Sequence, residues 1–222
     1  MWRGDLHIRD HTGYRREARL VPRLLRASFA AIGRARIAIL SIAATYLISL
    51  VVGIAMVSTG NAFALERRDG IVGGAQSSEI LVADRRGDFL RAAELDFASN
   101  LVLGGITSTI TGITVVGSYP IVAYRGWVGG IVSVDSRHES RLGDLRRATY
   151  YLVTLLLQLI PYSIAGGMGV HLGVAAWRAV RRPVPNTWLG LPKDRLRDVA
   201  LAYVVVVPMF LVASLWEFLV LR

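Results

Sequence analysis

Apolar residues gather into four long blocks, Ile37 to Thr59, Ala98 to Val134, Thr149 to Trp177 and Val199 to Val220, with charged stretches between them. A helix crosses the bilayer core with about 20 apolar residues, so the first, third and fourth blocks each predict one span. The second runs 37 residues with Arg125 as its one formal charge, too long for a single span. A tight turn near Ser118-Tyr119-Pro120 divides it into two, each short for a bilayer. The expected fold is all-α: a polytopic transmembrane helical bundle of about five spans.

The make-up of the second block sharpens this picture. Glycines stand at positions 104, 105, 112, 117, 126, 129 and 130, with Ser and Thr on several faces. A span that only had to dissolve in lipid would be mostly Leu, Ile and Phe, whereas small residues let two helix backbones approach closely. Gly126/Gly130, Ala165/Gly169 and Gly169/Gly173 repeat a small-xxx-small spacing, with Gly166 in the same stretch. These are packing faces and point to no particular function.

Two polar parts lie outside the blocks. Residues 1–36 form a basic segment in which Leu20, Leu24, Leu25 and Phe29 recur at roughly helical spacing among arginines. That pattern predicts an amphipathic helix on the cytoplasmic surface that also leads into the first span. Residues 60–97 form an external segment, where Phe89, Leu90, Ala93 and Phe97 predict a second amphipathic helix. Ala62-Phe63-Ala64 resembles a signal-cleavage site, but the preceding apolar run exceeds a signal h-region, so the first span is expected to remain. Residues 37–222 then make one transmembrane domain.

Composition agrees with a membrane protein: 53% of residues are hydrophobic and mean hydropathy is +0.45. The net charge of +10 comes from 25 Arg and one Lys that sit mainly outside the apolar blocks, with no nucleic-acid-binding motif beside them. Membrane topology accounts for them better. With a cytoplasmic N-terminus, 16 positive charges fall inside and ten outside, so the five-span count and the charge count agree on N-in, C-out. The absence of cysteine removes disulfides and thiolate chemistry. His7 and His11 stand four apart beside Asp10, but in a polar tail they read as solvated histidines, and no metal or other cofactor is expected.

Polar groups at membrane depth are costly and need partners, so each is a functional candidate. Asn100 at the start of the second span and Glu217 near the end of the last both fall near the outer interface, where a hydrogen bond between them is geometrically open. Arg125 and His171 fall near the inner interface; Arg125 is expected to snorkel to lipid phosphate, and His171 to bond between helices. Gln158 sits near the midplane, three residues before Pro161, where it serves either as interhelical glue or as part of a substrate path. Ser163 and His171 are eight residues apart, about 12 Å along one helix, and cannot act as nucleophile and base together. No enzyme activity is expected.

Several strings resemble the stage II sporulation protein M family: Phe97-Ala-Ser-Asn100-Leu, Tyr124-Arg125-Gly126-Trp-Val-Gly129-Gly130, Ile164-Ala-Gly166-Gly-Met-Gly169-Val-His-Leu-Gly173, and Val207-Pro208 followed by Ala213-Ser-Leu-Trp-Glu217-Phe218. The resemblance covers about residues 90–220 by scattered motifs. It implies a non-catalytic polytopic protein that positions cell-wall-remodelling or other membrane partners. The chain departs from the family at Arg125, where relatives carry Asn, and at Gln158, which aligns with the Glu of an otherwise missing Pro-His-Gly-x-x-Glu element.

The expectation is therefore a scaffold or assembly subunit in the cell membrane, with lipids, other membrane proteins or further copies of the chain as partners. The alternative is a permease-like transport subunit built around Gln158. A water-accessible cavity reaching Gln158 favours transport; a dry bundle favours the scaffold. Topology has its own test: in intact cells an impermeant thiol reagent should modify Ser78→Cys and leave Thr187→Cys untouched. Labelling of both, or of the second alone, rules out N-in.

Overall fold

The computed structural model describes residues 12–182 and 186–219, which are almost entirely helical. His7, Asp10 and His11 lie outside the described residues. Helix α1 (Thr12–Arg34) runs through Pro22, and Ala35 alone separates it from α2 (Arg36–Ser58). The short helices α3 (Ala62–Ala75) and α4 (Glu79–Arg85) start where Asn61 and Ser78 cap the backbone N–H groups of Ala64 and Leu81. Helix α5 (Phe89–Ser99), capped by Asp88, passes through a π-helical stretch (Asn100–Ile106) into α6 (Thr107–Gly112). Then follow α7 (Ser118–Ile131), α8 (Leu145–Arg181), a small hairpin of β1 (Thr187–Trp188) and β2 (Leu191–Pro192), and α9 (Lys193–Leu219).

Three helices, α2, α8 and α9, are long and apolar enough to cross a membrane. Of their most apolar stretches, 61% of α8 is buried inside the protein against 22% of α2 and 28% of α9, so α8 is the axis of the bundle. Its neighbours turn Ile37, Leu40, Ile48, Val51, Leu211 and Val212 outward. Such an apolar exterior is what contact with lipid requires.

The second apolar block forms a hairpin shorter than a pair of full spans. Its turn lies at residues 113–117, earlier than Ser118-Tyr119-Pro120, and Ser118 already begins α7. Pro120 sits in the first turn of that helix, where a missing N–H interrupts nothing. At about 1.5 Å per residue, the 14 residues of α7 extend about 21 Å, less than the roughly 30 Å bilayer core. The tip is closed by Ser118 Oγ, which donates to the Ser108 carbonyl at 2.6 Å.

The two arms of the hairpin pack on different partners. Arm α7 runs parallel to α2, with Gly126 on the Tyr46 carbonyl, Gly130 on the Leu50 carbonyl and Gly53 on the Trp127 carbonyl. Arm α6 runs parallel to α8, with Gly112 on Gly169 and Gly173 on the Ile113 carbonyl. A Cβ at any of these positions would overlap backbone atoms of the facing helix. Gly166 faces Ile42 less tightly, and the α8 residue in backbone contact with α2 is Gly167, against Ile39.

The two amphipathic segments use smaller faces than their large apolar residues indicate. Helix α1 buries Ser28 and Ala31, and with Ala35 packs on α9, while Leu24, Leu25 and Phe29 stay exposed. The 1–36 segment is thus joined to the bundle through residues 28–35. Helix α5 buries Ala92 and Ala93 and turns Leu90 outward. Near the 132–144 loop, Asp69 of α3 takes a hydrogen bond from Arg68 (2.8 Å) and faces His138 Nε2 at 3.1 Å. Arg68 first, and His138 second, hold its carboxyl below the usual carboxylate range.

Backbone contact makes the interfacial glycines intolerant of even one methyl. Gly126→Ala should destabilise the protein by about 1–3 kcal/mol in denaturant unfolding in detergent. Gly73→Ala, whose Cβ would meet open space on α3, should be stabilising by about 0.5–1 kcal/mol. Equal effects at the two positions would remove glycine contact as the basis of the α2–α7 interface.

Candidate functional site

Arm α7 leans on α2 and arm α6 on α8. A cavity of about 1120 Å³ runs from the 132–144 loop inward between α7 and α8. Leu103, Ile121, Val128 and Leu155 supply apolar wall, while Arg125, Gln158, Tyr162 and Glu217 face the same space from three helices. Asp135, Arg141 and Arg147 stand at the loop end. The backbone N–H groups of Arg137 and then Glu139 bind the Asp135 carboxyl and hold it below the usual range.

Tyr162 forms the deep end of this space. Its hydroxyl donates to Asn100 Oδ1 at 2.5 Å, and its ring meets Phe210 edge to face at 4.9 Å. The ring fits because Gly104 lies opposite it in the π-helical stretch, where a Cβ would overlap the ring atoms. Asn100 Nδ2 donates to Asp96 Oδ2 at 2.9 Å, and Ser214 Oγ donates to the same oxygen at 2.7 Å. Asp96, Asn100, Tyr162 and Ser214 thus fasten α5, α8 and α9 together.

The Arg125 guanidinium lies over the Tyr162 ring, 4.7 Å from its centroid, and makes no hydrogen bond or ion pair among the described residues. Beside it, Gln158 Nε2 donates to Glu217 Oε2 at 3.3 Å, and the Tyr150 hydroxyl donates to the Glu217 carbonyl at 3.0 Å. Chemically, the site offers an unpaired cation, an amide and a carboxylate around a partly apolar void. Among the described residues no group of His, Cys, Asp and Glu is arranged to hold a metal ion.

Two expected placements differ. Asn100 does not bond Glu217: Asp96, one turn earlier on the same helical run, and Tyr162 take its side chain, and Glu217 pairs with Gln158 instead. The helices α5 and α9 are still linked at this level, through Asp96 and Ser214. Arg125 does not reach past the bundle to lipid phosphate. It stands two turns beyond a hairpin tip that is itself buried at Ser108, Gly112 and Ser118, so its short reach ends on Tyr162.

His171 lies at the opposite end, where Arg195 Nη1 donates to its Nε2 at 3.2 Å. Arg195 also reaches Asp198 Oδ2 at 3.3 Å, and Arg34 binds both carboxylate oxygens of Asp198, at 2.9 Å from Nε and closely from Nη2. Asp198 is buried and ties α1 to α9. The sequence signal for it is an acid at the very edge of an apolar block, one turn after Arg195. Tyr162 and Ser214 left no such signal, because their partners lie more than 60 residues away in the chain, whereas Asp96 stands one turn before Asn100, a spacing visible in the sequence.

Comparison with protein-family models, with curated proteins and with solved structures returns no match for this chain. The site is therefore read from its geometry. Removing the Tyr162 hydroxyl orphans Asn100 Oδ1, whereas the buried Ser163 Oγ has no partner to lose. Tyr162→Phe should destabilise by about 1 kcal/mol and Ser163→Ala by less than about half of that, measured by unfolding in detergent. The reverse order would discount the Tyr162–Asn100 bond.

Proposed function

We propose that this chain is a cell-membrane protein that admits a small molecule, a permease-like subunit of a membrane complex. The observation that carries the reading is the cavity of about 1120 Å³ that reaches Gln158, Glu217 and Arg125. Ligand sites are concave, largely apolar spaces with a few convergent polar groups, and this one has that character. A bundle that only held partners together would gain by closing such a void, since packed interiors leave few spaces larger than a water molecule.

The orientation follows from parity and charge. Three full spans with a hairpin that returns to the side it entered, and five full spans, are both odd arrangements. Either one leaves the two termini on opposite sides, and the arginine distribution favours a cytoplasmic N-terminus. In that orientation the 132–144 loop and the cavity mouth face outward. The resemblance to the stage II sporulation protein M family supports a second reading, a non-catalytic assembly subunit, because its motif glycines Gly126, Gly130, Gly169 and Gly173 lie where helices touch.

The chain has no cysteine, so single replacements report without background. An impermeant thiol reagent added outside intact cells should modify Gln158→Cys in the cavity and leave Ala165→Cys, at 0% exposure in the packed part of α8, unmodified. No modification of Gln158→Cys, or modification only from the cytoplasmic face, would overturn an outward-open cavity.

A further inference from the structure

The cavity combines two features that together narrow what enters it. The cationic groups along it are unengaged: among the described residues, the guanidinium groups of Arg125, Arg141 and Arg147 make no hydrogen bond or ion pair. The acidic groups along it are engaged: Asp135 accepts from two backbone N–H groups, and Glu217 accepts from Gln158. Donors are left in excess, and the deepest of them is Arg125, its guanidinium carbon 4.7 Å from the Tyr162 ring centroid. A guanidinium with no hydrogen-bond partner among the described residues has its N–H groups free for a planar or tetrahedral anion.

The remaining wall is apolar. Leu103, Ile121, Val128 and Leu155 line the same cavity as Arg125. Leu103 of the π-helical stretch and Tyr124 of α7 both line the cavity and are 64% and 50% exposed, so it has an apolar margin on the bundle surface. A wholly water-soluble anion has no use for that margin.

We infer that the cavity binds an amphiphile with a phosphate or carboxylate head, the head on Arg125 and the apolar body along Leu103, Ile121, Val128 and Leu155. This rests on the ligand-admitting function proposed above and names the ligand class. Arg141 and Arg147 at the loop end draw the anion toward the mouth, and Arg125 holds it inside.

The test is native mass spectrometry of the full chain in neutral detergent, titrated with dioleoyl phosphatidate, dioleoylglycerol or inorganic phosphate. The wild-type protein should take up one phosphatidate in preference to dioleoylglycerol, and inorganic phosphate at equal concentration should not displace it. Arg125→Gln should weaken phosphatidate binding roughly tenfold or more, the loss of one charge-assisted site. Arg146→Gln, an equal charge change at the loop end and off the cavity lining, should leave binding unchanged.

Val128→Trp, which fills the cavity without altering charge, should abolish binding and serves if Arg125→Gln does not fold. Undiminished binding in Arg125→Gln or Val128→Trp would overturn the inference, as would equal loss in Arg146→Gln or equal binding of dioleoylglycerol. Displacement by inorganic phosphate would overturn the amphiphile and assign a free anion. Thiol modification of Gln158→Cys without phosphatidate binding removes the ligand class and leaves the open cavity standing; absence of that modification removes the cavity reading itself.

Discussion

Backbone contact between helices, permitted by glycine, is the constraint from which the rest of the structure follows. Lipid supplies no hydrophobic force between helices, so they associate through close packing and hydrogen bonds. Gly126, Gly130 and Gly53 bring α7 onto α2, and Gly112, Gly169 and Gly173 bring α6 onto α8. Each pair gains dispersion along its length, and Cα–H groups meet facing carbonyls. The arms of the hairpin are drawn to different neighbours, and the space between α7 and α8 is the geometric result.

Arg125, Gln158, Tyr162 and Glu217 gather around that space. Tyr162 is the joint: its hydroxyl closes the Asn100–Asp96–Ser214 network, and its ring carries Arg125. The π-helical stretch at Asn100–Ile106 matters here, since it sets Gly104 opposite the ring and Asn100 toward the hydroxyl. Such stretches recur at functional sites. Packing, local helix geometry and the polar site are thus one arrangement.

The other end of the bundle solves a different problem. Asp198 is a buried carboxylate that would be costly alone, and Arg34 and Arg195 surround it while His171 accepts from Arg195. The result couples α1, the part of the chain before the first span, to α8 and α9.

The periodicity and composition of the chain by themselves determined that it is helical and apolar enough for a membrane, and where the long helices run. Burial of about 20 consecutive apolar residues has one outcome in lipid, whatever the neighbours. Local glycine spacing also marked which faces come together at Gly126, Gly130, Gly169 and Gly173. Depth estimates along single helices paired Asn100 with Glu217 and sent Arg125 to the lipid surface. Only the tertiary structure decided otherwise, because Tyr162 meets both Asn100 and Arg125 from a different helix and Gln158 takes Glu217. Such distances between helices are set by packing, and no spacing along one helix encodes them.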